Sequence, residues 1–275
     1  MSGNAEPYGK EGLPLEDARR RVLAAIQPIE SIITLPLHEA LGRVNASALR
    51  APAAVPGFRA SVMDGYALGQ ASQPNIGDSW QLMGRSAAGQ PFHAALSSGE
   101  AIRILTGAPL PDGAGWVLPQ ELVAVEGSTL RLVKEASDRA WIRSEDEECR
   151  PGDLLLAAGQ RLEAADLGRL AGCGIAELQL VVKPRIGLLI SGDELVPPGS
   201  ARHPGAIWES NGTLLDTMLR SLGQSVTQRR VVADQPDALR RSLRELATDC
   251  DVVVSTGGVS AGDTDWIRSL VSELG

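Results

Sequence analysis

Apolar residues recur at Leu15, Ala18, Val22, Ala25 and Ile26 behind Pro14. That is the spacing of one helix face, so an amphipathic helix is predicted over residues 14–26, opening where proline is tolerated. Arg19, Arg20 and Arg21 lie on its polar face and read as a solvated charge run. The texture changes over residues 51–152. Short β-prone runs at 80–83, 100–105, 116–118, 122–126, 130–133 and 140–143 are separated there by Gly, Pro and Asp turns. Such spacing predicts a compact β-barrel or sandwich, with Glu126-Gly127-Ser128-Thr129 as a hairpin connection. Residues 37–44 and 163–170, which flank this block, carry helical spacing, so the block reads as an insertion between them.

Beyond Gly174 the pattern alternates between strands at 185–190, 226–232 and 251–255 and helices at 211–222, 236–247 and 264–274. Alternation of this kind predicts a parallel sheet with crossover helices. The first of these helices has Ser210 as N-cap, Leu214, Leu215, Met218, Leu219 and Leu222 as its apolar face, and Gly223 as its stop. Because the chain ends at Gly275 without a returning strand, the α/β domain is expected to be incomplete.

Composition narrows the function classes. Of 275 residues, 43% are hydrophobic and 22% charged, which describes a globular protein. Aromatic residues are few (Trp 5, Tyr 2, Phe 2), so the core must rest on aliphatic side chains. No apolar run approaches the ~20 residues of a membrane span, and residues 1–12 lack the order of a secretory signal. Cys149, Cys173 and Cys250 are widely spaced in sequence, as expected of reduced cytoplasmic thiols. A net charge of −8 argues against general capture of nucleic acid.

Two turns carry the candidate chemistry. In Asp251-Val252-Val253-Val254-Ser255-Thr256-Gly257-Gly258-Val259-Ser260-Ala261-Gly262-Asp263-Thr264-Asp265 a strand enters a Gly-rich turn and then a helix. It is either a phosphate cradle of backbone N–H groups with Asp265 near a divalent cation, or a tight turn whose aspartates cap the helix. Ser191-Gly192-Asp193-Glu194-Leu195 follows the first strand of the same domain. Ligands of open α/β sheets bind outside the carboxyl ends of strands, where Glu194 and Asp265 would converge. Glu209, just before a helix, is either a third ligand or a first-turn charge. Within the β-rich block, Ser61-Val62-Met63-Asp64-Gly65-Tyr66-Ala67 reads as a turn, and Thr106 either donates to a phosphate or closes its own turn. His38, His93 and His203 show no metal-ligand spacing.

These turns, with Arg103-Ile104-Leu105-Thr106-Gly107-Ala108-Pro109-Leu110-Pro111, Pro119-Gln120-Glu121 and Ser255-Thr256-Gly257-Gly258-Val259-Ser260 in the same order, resemble the molybdopterin molybdenumtransferase family, cofactor-synthesis proteins related to the C-terminal domain of gephyrin. The resemblance runs over residues 15–275. It implies an elongated multidomain cytoplasmic enzyme of the α/β plus mixed β class, with a parallel-sheet molybdopterin-binding domain and a barrel-like β-rich insert. Such an enzyme inserts molybdenum from molybdate into adenylylated molybdopterin, with Mg²⁺ as Lewis acid and template, and releases AMP. Glu194, Glu209 and Asp265 would be catalytic and hold the metal. Thr106, Glu148, Asp64, Gly257, Gly258 and Ser260 would bind substrate. A homodimer sharing its site between subunits and a molybdopterin adenylyltransferase upstream are the implied partners, with neither nucleic acid nor membrane.

The expected domains are an N-terminal helix over 1–32 packing on the α/β domain, a discontinuous hinge over 33–51 and 153–174, the insert over 52–152 and the α/β domain over 175–275. The chain departs from the family in three places: Arg59-Ala60 replaces an Asp-Asn pair, and Glu148 and Glu209 stand where the family has aspartates. The family continues past the position of Gly275 into a Lys- and Pro-containing loop, further strands and a small β domain, so this chain alone is expected to retain partial ligand recognition at best. A noncatalytic scaffold or ligand-binding module of the same family is the alternative.

Overall fold

The structure is a computed structural model that describes residues 13–257 and 266–274. Its contacts divide the chain into two units, Met1–Leu35 with Gly42–Ala46 and Gln179–Gly275, and Pro36–Leu41 with Ser47–Leu178. The first unit opens with α1 (Leu15–Ala25). The Pro14 carbonyl accepts from the Asp17 and Ala18 N–H groups, and Glu16 and Asp17 place negative charge in the first turn, where the helix dipole favours it. None of its residues is buried: Leu15, Val22 and Leu23 are exposed. β1 (Ile32–Pro36) follows.

The second unit begins with a 3-10 turn at Leu37–Glu39, where a helix over 37–44 is expected. Tertiary pairing overrides the helical spacing. The Leu37 N–H donates to the Ala176 carbonyl, and Gly42 takes a φ of 70°. Next come β2 (Leu49–Arg50), β3 (Ala60–Ser61), β4 (Gly65–Leu68), β5 (Ser79–Ser86), β6 (Glu100–Ile104), β7 (Trp116–Pro119), β8 (Val123–Glu126), β9 (Thr129–Leu132), β10 (Ile142–Arg143) and β11 (Leu154–Leu156). Six of these form one mixed sheet in the order β7-β4-β6-β5-β9-β8, in which β5 and β6 alone run parallel. Successive side chains of a strand point to opposite faces. Accordingly Leu68, Ala101 and Leu118 join one apolar cluster with Trp80 and Leu130, while their neighbours Ala67, Ile102 and Val117 join another with Leu96 and Ala108. Both faces are therefore covered. β8 and β9 form the expected hairpin, with Glu126 opposite Thr129. Two short antiparallel pairs, β3 with β10 and β2 with β11, lie outside this sheet. α2 (Ala164–Gly172) begins with a capping box between Glu163 and Asp166.

β12 (Glu177–Val181) pairs with β1 and returns the chain to the first unit. There follow β13 (Ile186–Ser191), β14 (Leu195–Val196), β15 (Ile207–Trp208), α3 (Asn211–Ser221), β16 (Val226–Val232), α4 (Pro236–Asp249), β17 (Val252–Thr256) and α5 (Trp266–Leu274). β13 is buried at all six positions and lies between β16 and β17, parallel to both. On one face Leu189 packs with Leu239, Leu243 and Leu246 of α4 and Ile267 and Leu270 of α5. Its neighbour Ile190 points the other way, toward the start of α3: a Cβ built on Gly212 would lie 2.5 Å from Ile190 Cδ1. Fully burying each such aliphatic side chain contributes about 1.5–3 kcal/mol, so the crossover helices are held by β13 rather than by their own propensity. Among the described residues no helix is long and apolar enough to cross a membrane.

At the amino ends of these strands Asp251 accepts from the Arg185 N–H at 2.8 Å and from its guanidinium Nη2 at 2.8 Å. The bonds to Arg185 hold the Asp251 carboxyl at about 2, below its ordinary 3.8. A depressed carboxylate stabilises the fold above its unfolded value, and that contribution disappears as pH falls through the folded value. Urea midpoints of the wild type and Asp251→Asn should differ most above pH 4 and converge as the pH approaches 2. A difference independent of pH would contradict this linkage.

Candidate functional site

Parallel strands put their carboxyl ends on one edge, and Glu194 and Gly257 lie there. Gly257, at the end of β17, has a φ of 85° and approaches β13 so closely that a Cβ on it would lie 2.8 Å from Ser191 Oγ. Glycine is needed on both counts. A Cβ on Gly192 would stand 2.9 and 3.0 Å from the two carboxylate oxygens of Glu194, which therefore folds back over the end of β13. Among the described residues that exposed carboxylate has no hydrogen-bond partner. Glu194 and Gly257 are thus both brought to the end of the central strand. Gly258, Ser260 and Asp265 lie outside the described residues.

The same edge holds two acids that the candidate list omits. Asp193 Oδ1 accepts from the Asp234 N–H at 3.0 Å, tying the turn after β13 to the turn after β16. Asp234 directly follows Val231-Val232-Ala233 at the end of a predicted strand. The strand-end rule that picked out Glu194 picks out Asp234 as well.

Glu209 behaves differently. Its backbone lies alongside the Glu194 turn, since β14 and β15 pair in parallel and the Glu209 N–H donates to the Val196 carbonyl at 2.8 Å. Its side chain, however, is 3% exposed. Oε1 accepts from the Gly212 N–H at 2.6 Å and Oε2 is ion-paired with Arg229. Both oxygens are committed, one to an orphan N–H of the first turn of α3 and one to a guanidinium. This is the helix-stabilising alternative, and it argues against Glu209 as a metal ligand. It also displaces Ser210, whose side chain makes no capping bond. Among the described residues no three His, Cys, Asp or Glu side chains are grouped so as to hold a metal ion.

In the second unit two candidates meet directly. Asp64 Oδ1 accepts from both the N–H and the Oγ1 of Thr106, at 2.8 and 2.9 Å. These two bonds, with Arg103 nearby, hold the Asp64 carboxyl below its ordinary 3.8. The Thr106 hydroxyl proton is spent on Asp64. Toward an outside ligand Thr106 offers lone pairs, and the open acceptor of the pair is Asp64 Oδ2. Thr106 also borders a hollow of about 140 Å³ with Ser61, Val62 and Arg143. Glu148 is exposed and lines a different cavity, of about 270 Å³, with Cys149, Arg169 and Cys173. Arg59, the charge-reversed position, donates to the Ala114 carbonyl at 2.5 Å.

Two family profiles cover most of this chain. Residues 13–174 match a profile described as the MoeA N-terminal region (domain I and II), and residues 187–275 match one described as a probable molybdopterin binding domain. A molybdopterin molybdenumtransferase of Haemophilus influenzae is 31% identical over 264 residues, which make up 96% of this chain and 65% of the relative. Molybdopterin molybdenumtransferase 2 of Mycobacterium tuberculosis is 32% identical over 253 residues, 90% of this chain and 62% of the relative. The chain thus spans just under two thirds of their length. A crystal structure of a molybdopterin biosynthesis MoeA protein from Pyrococcus horikosii superposes with a TM-score of 0.80 at 30% identity, covering 96% of this chain and 67% of that one.

The two glutamates of this region should separate by stability. Glu209→Ala removes a helix cap and leaves Arg229 without its partner, and should cost about 2 kcal/mol in urea unfolding. Glu194→Ala touches an exposed group that has no partner among the described residues and should stay within about 0.5 kcal/mol of the wild type. Equal losses would contradict the assignment of Glu209 to the scaffold.

Proposed function

The chain belongs to the family that joins the MoeA N-terminal region to a probable molybdopterin binding domain, and from that premise we propose that it acts in molybdenum cofactor biosynthesis. In this reading it is a transferase that takes adenylylated molybdopterin and molybdate, releases AMP and leaves molybdenum on the dithiolene. The observation that carries the reading is the strand-end edge, where a carboxylate without a partner among the described residues, Glu194, and a left-handed glycine turn, Gly257, both border the end of β13.

A hard cation fits this edge. Asp193, Glu194 and Asp234 lie in the turns at this edge, and their negative charge would repel a phosphoanhydride unless a positive charge lay between them. Mg²⁺ typically takes one or two protein carboxylates and fills its remaining positions with water and substrate phosphate, so the absence of a three-ligand cluster among the described residues is compatible with it. Glu194 is the described residue assigned to hold it, with Asp265 as the expected companion. When bound, the ion would polarise the phosphoanhydride as a Lewis acid. Glu209 keeps Arg229 and the first turn of α3 in place, and so shapes the wall beside Glu194. Gly257, together with Gly258 and Ser260, is assigned to the phosphate.

Asp64, Thr106 and Glu148 remain assigned to substrate, supplied across a homodimer by the second copy of the chain. Asp64 would accept a substrate N–H or O–H through Oδ2 while Thr106 fixes its orientation. A molybdopterin adenylyltransferase would supply the adenylylated substrate, and the cytoplasm is the expected compartment.

The test is AMP release from adenylylated molybdopterin in the presence of molybdate and Mg²⁺. Glu194→Ala should lower the rate about 100-fold or more with the urea midpoint unchanged. AMP release at the wild-type rate by Glu194→Ala would overturn the assignment and favour a noncatalytic binding module.

A further inference from the structure

Cys149 and Cys173 are free thiols whose sulfurs stand 3.8 Å apart. Different parts of the second unit bring them together. Cys149 faces Val55 across an isolated antiparallel bridge, and its carbonyl accepts from the Val55 N–H at 3.1 Å. Cys173 caps the carboxyl end of α2, its N–H donating to the carbonyls of Arg169 and Leu170. Both line the cavity of about 270 Å³, along with Glu148, Arg169, Leu154 and Leu155. That volume is several times the ~30 Å³ share of a water molecule, so a small reagent has room to reach the sulfurs.

We propose that Cys149 and Cys173 form a dithiol site that a small-molecule disulfide, entering through this cavity, oxidises to an intramolecular disulfide. Nothing in the assigned transferase chemistry uses either thiol, so the proposal stands apart from that reading. Cys173 is the less buried of the two. Its thiolate attacks one sulfur of R–S–S–R, the S–S bond breaks, and the first R–S⁻ leaves. The Cys149 thiolate then attacks the Cys173 sulfur of the mixed disulfide and expels the second R–S⁻. The two protons lost by the cysteines end on two R–SH, and two electrons pass from the cysteine pair to the small disulfide. Burial and the neighbouring Cys149 push the Cys173 thiol up, and the Arg169 guanidinium offsets only part of that rise, so the attack runs through a small thiolate population and is slow. Closure brings the sulfurs from 3.8 Å to the ~2.05 Å of a bond. Cys250 serves as the internal reference. It is buried against α4 and α5, outside this cavity.

Oxidised glutathione is the probe. The folded 275-residue chain is incubated with it, quenched in acid, alkylated and mapped by peptide mass spectrometry. The wild type should lose two of its three thiols, yield a cross-linked peptide containing Cys149 and Cys173, and retain Cys250 in alkylated form. Cys149→Ser should stop at a glutathione adduct on Cys173. Wild-type chains that keep all three thiols, that accumulate adducts without the cross-link, or that cross-link through Cys250 would overturn the proposal. If the variant does not fold, the wild-type map decides the question by itself.

Discussion

Burial of one strand on both faces governs the first unit. β13 is closed to solvent at all six positions, so its backbone groups must be satisfied by neighbouring strands. It finds them in β16 and β17, each parallel to it. Parallel neighbours cannot be joined by tight turns, and the connections have to cross over as helices. Leu189 and Ile190, adjacent in sequence and opposite in direction, give those helices two faces to cover. The site follows from the same constraint. With all three strands running one way, their carboxyl ends and the turns that leave them share one edge, and Ser191, Glu194, Asp234 and Gly257 arrive there without any local sequence relationship.

The polar side chains at this edge divide according to whether their hydrogen-bonding capacity is already used. Glu209 and Glu194 sit on paired segments of backbone, yet one is sealed against Arg229 and the Gly212 N–H while the other is open. A buried carboxylate needs partners for its charge, and once supplied with them it has little left for a ligand. The Asp64–Thr106 pair shows the same accounting at the surface. Thr106 gives both its protons to Asp64, so the pair presents an acceptor where either residue alone might have been assigned a donor.

Much of the fold was legible from periodicity. The continuous apolar run of β13, the 226–232 strand and the helices at 211 and 236 emerge close to where spacing puts them, because buried parallel strands and amphipathic helices carry their own local signals. The Gly127-Ser128 hairpin did so too, through turn chemistry. The helix expected over 37–44 did not form, since Leu37 and Asn45 are claimed by pairings with residues 176 and 180, more than a hundred positions away. The site was legible to the extent that it depends on strand ends. The burial of Glu209 was hidden because its partner Arg229 lies on another element and meets it only where α3 approaches the sheet at Gly212. Asp234 was within reach of the same rule as Glu194.

If the strand-end edge holds the metal and phosphate, a paramagnetic ion should mark it. Adding Mn²⁺ and AMP to the isotopically labelled chain and following amide signal loss by NMR tests this directly. Broadening should begin at Ser191, Gly192, Glu194 and Gly257 and weaken in Glu194→Ala. Broadening that begins around Asp64 and Thr106, or that persists unchanged in Glu194→Ala, would contradict a metal site at the end of β13.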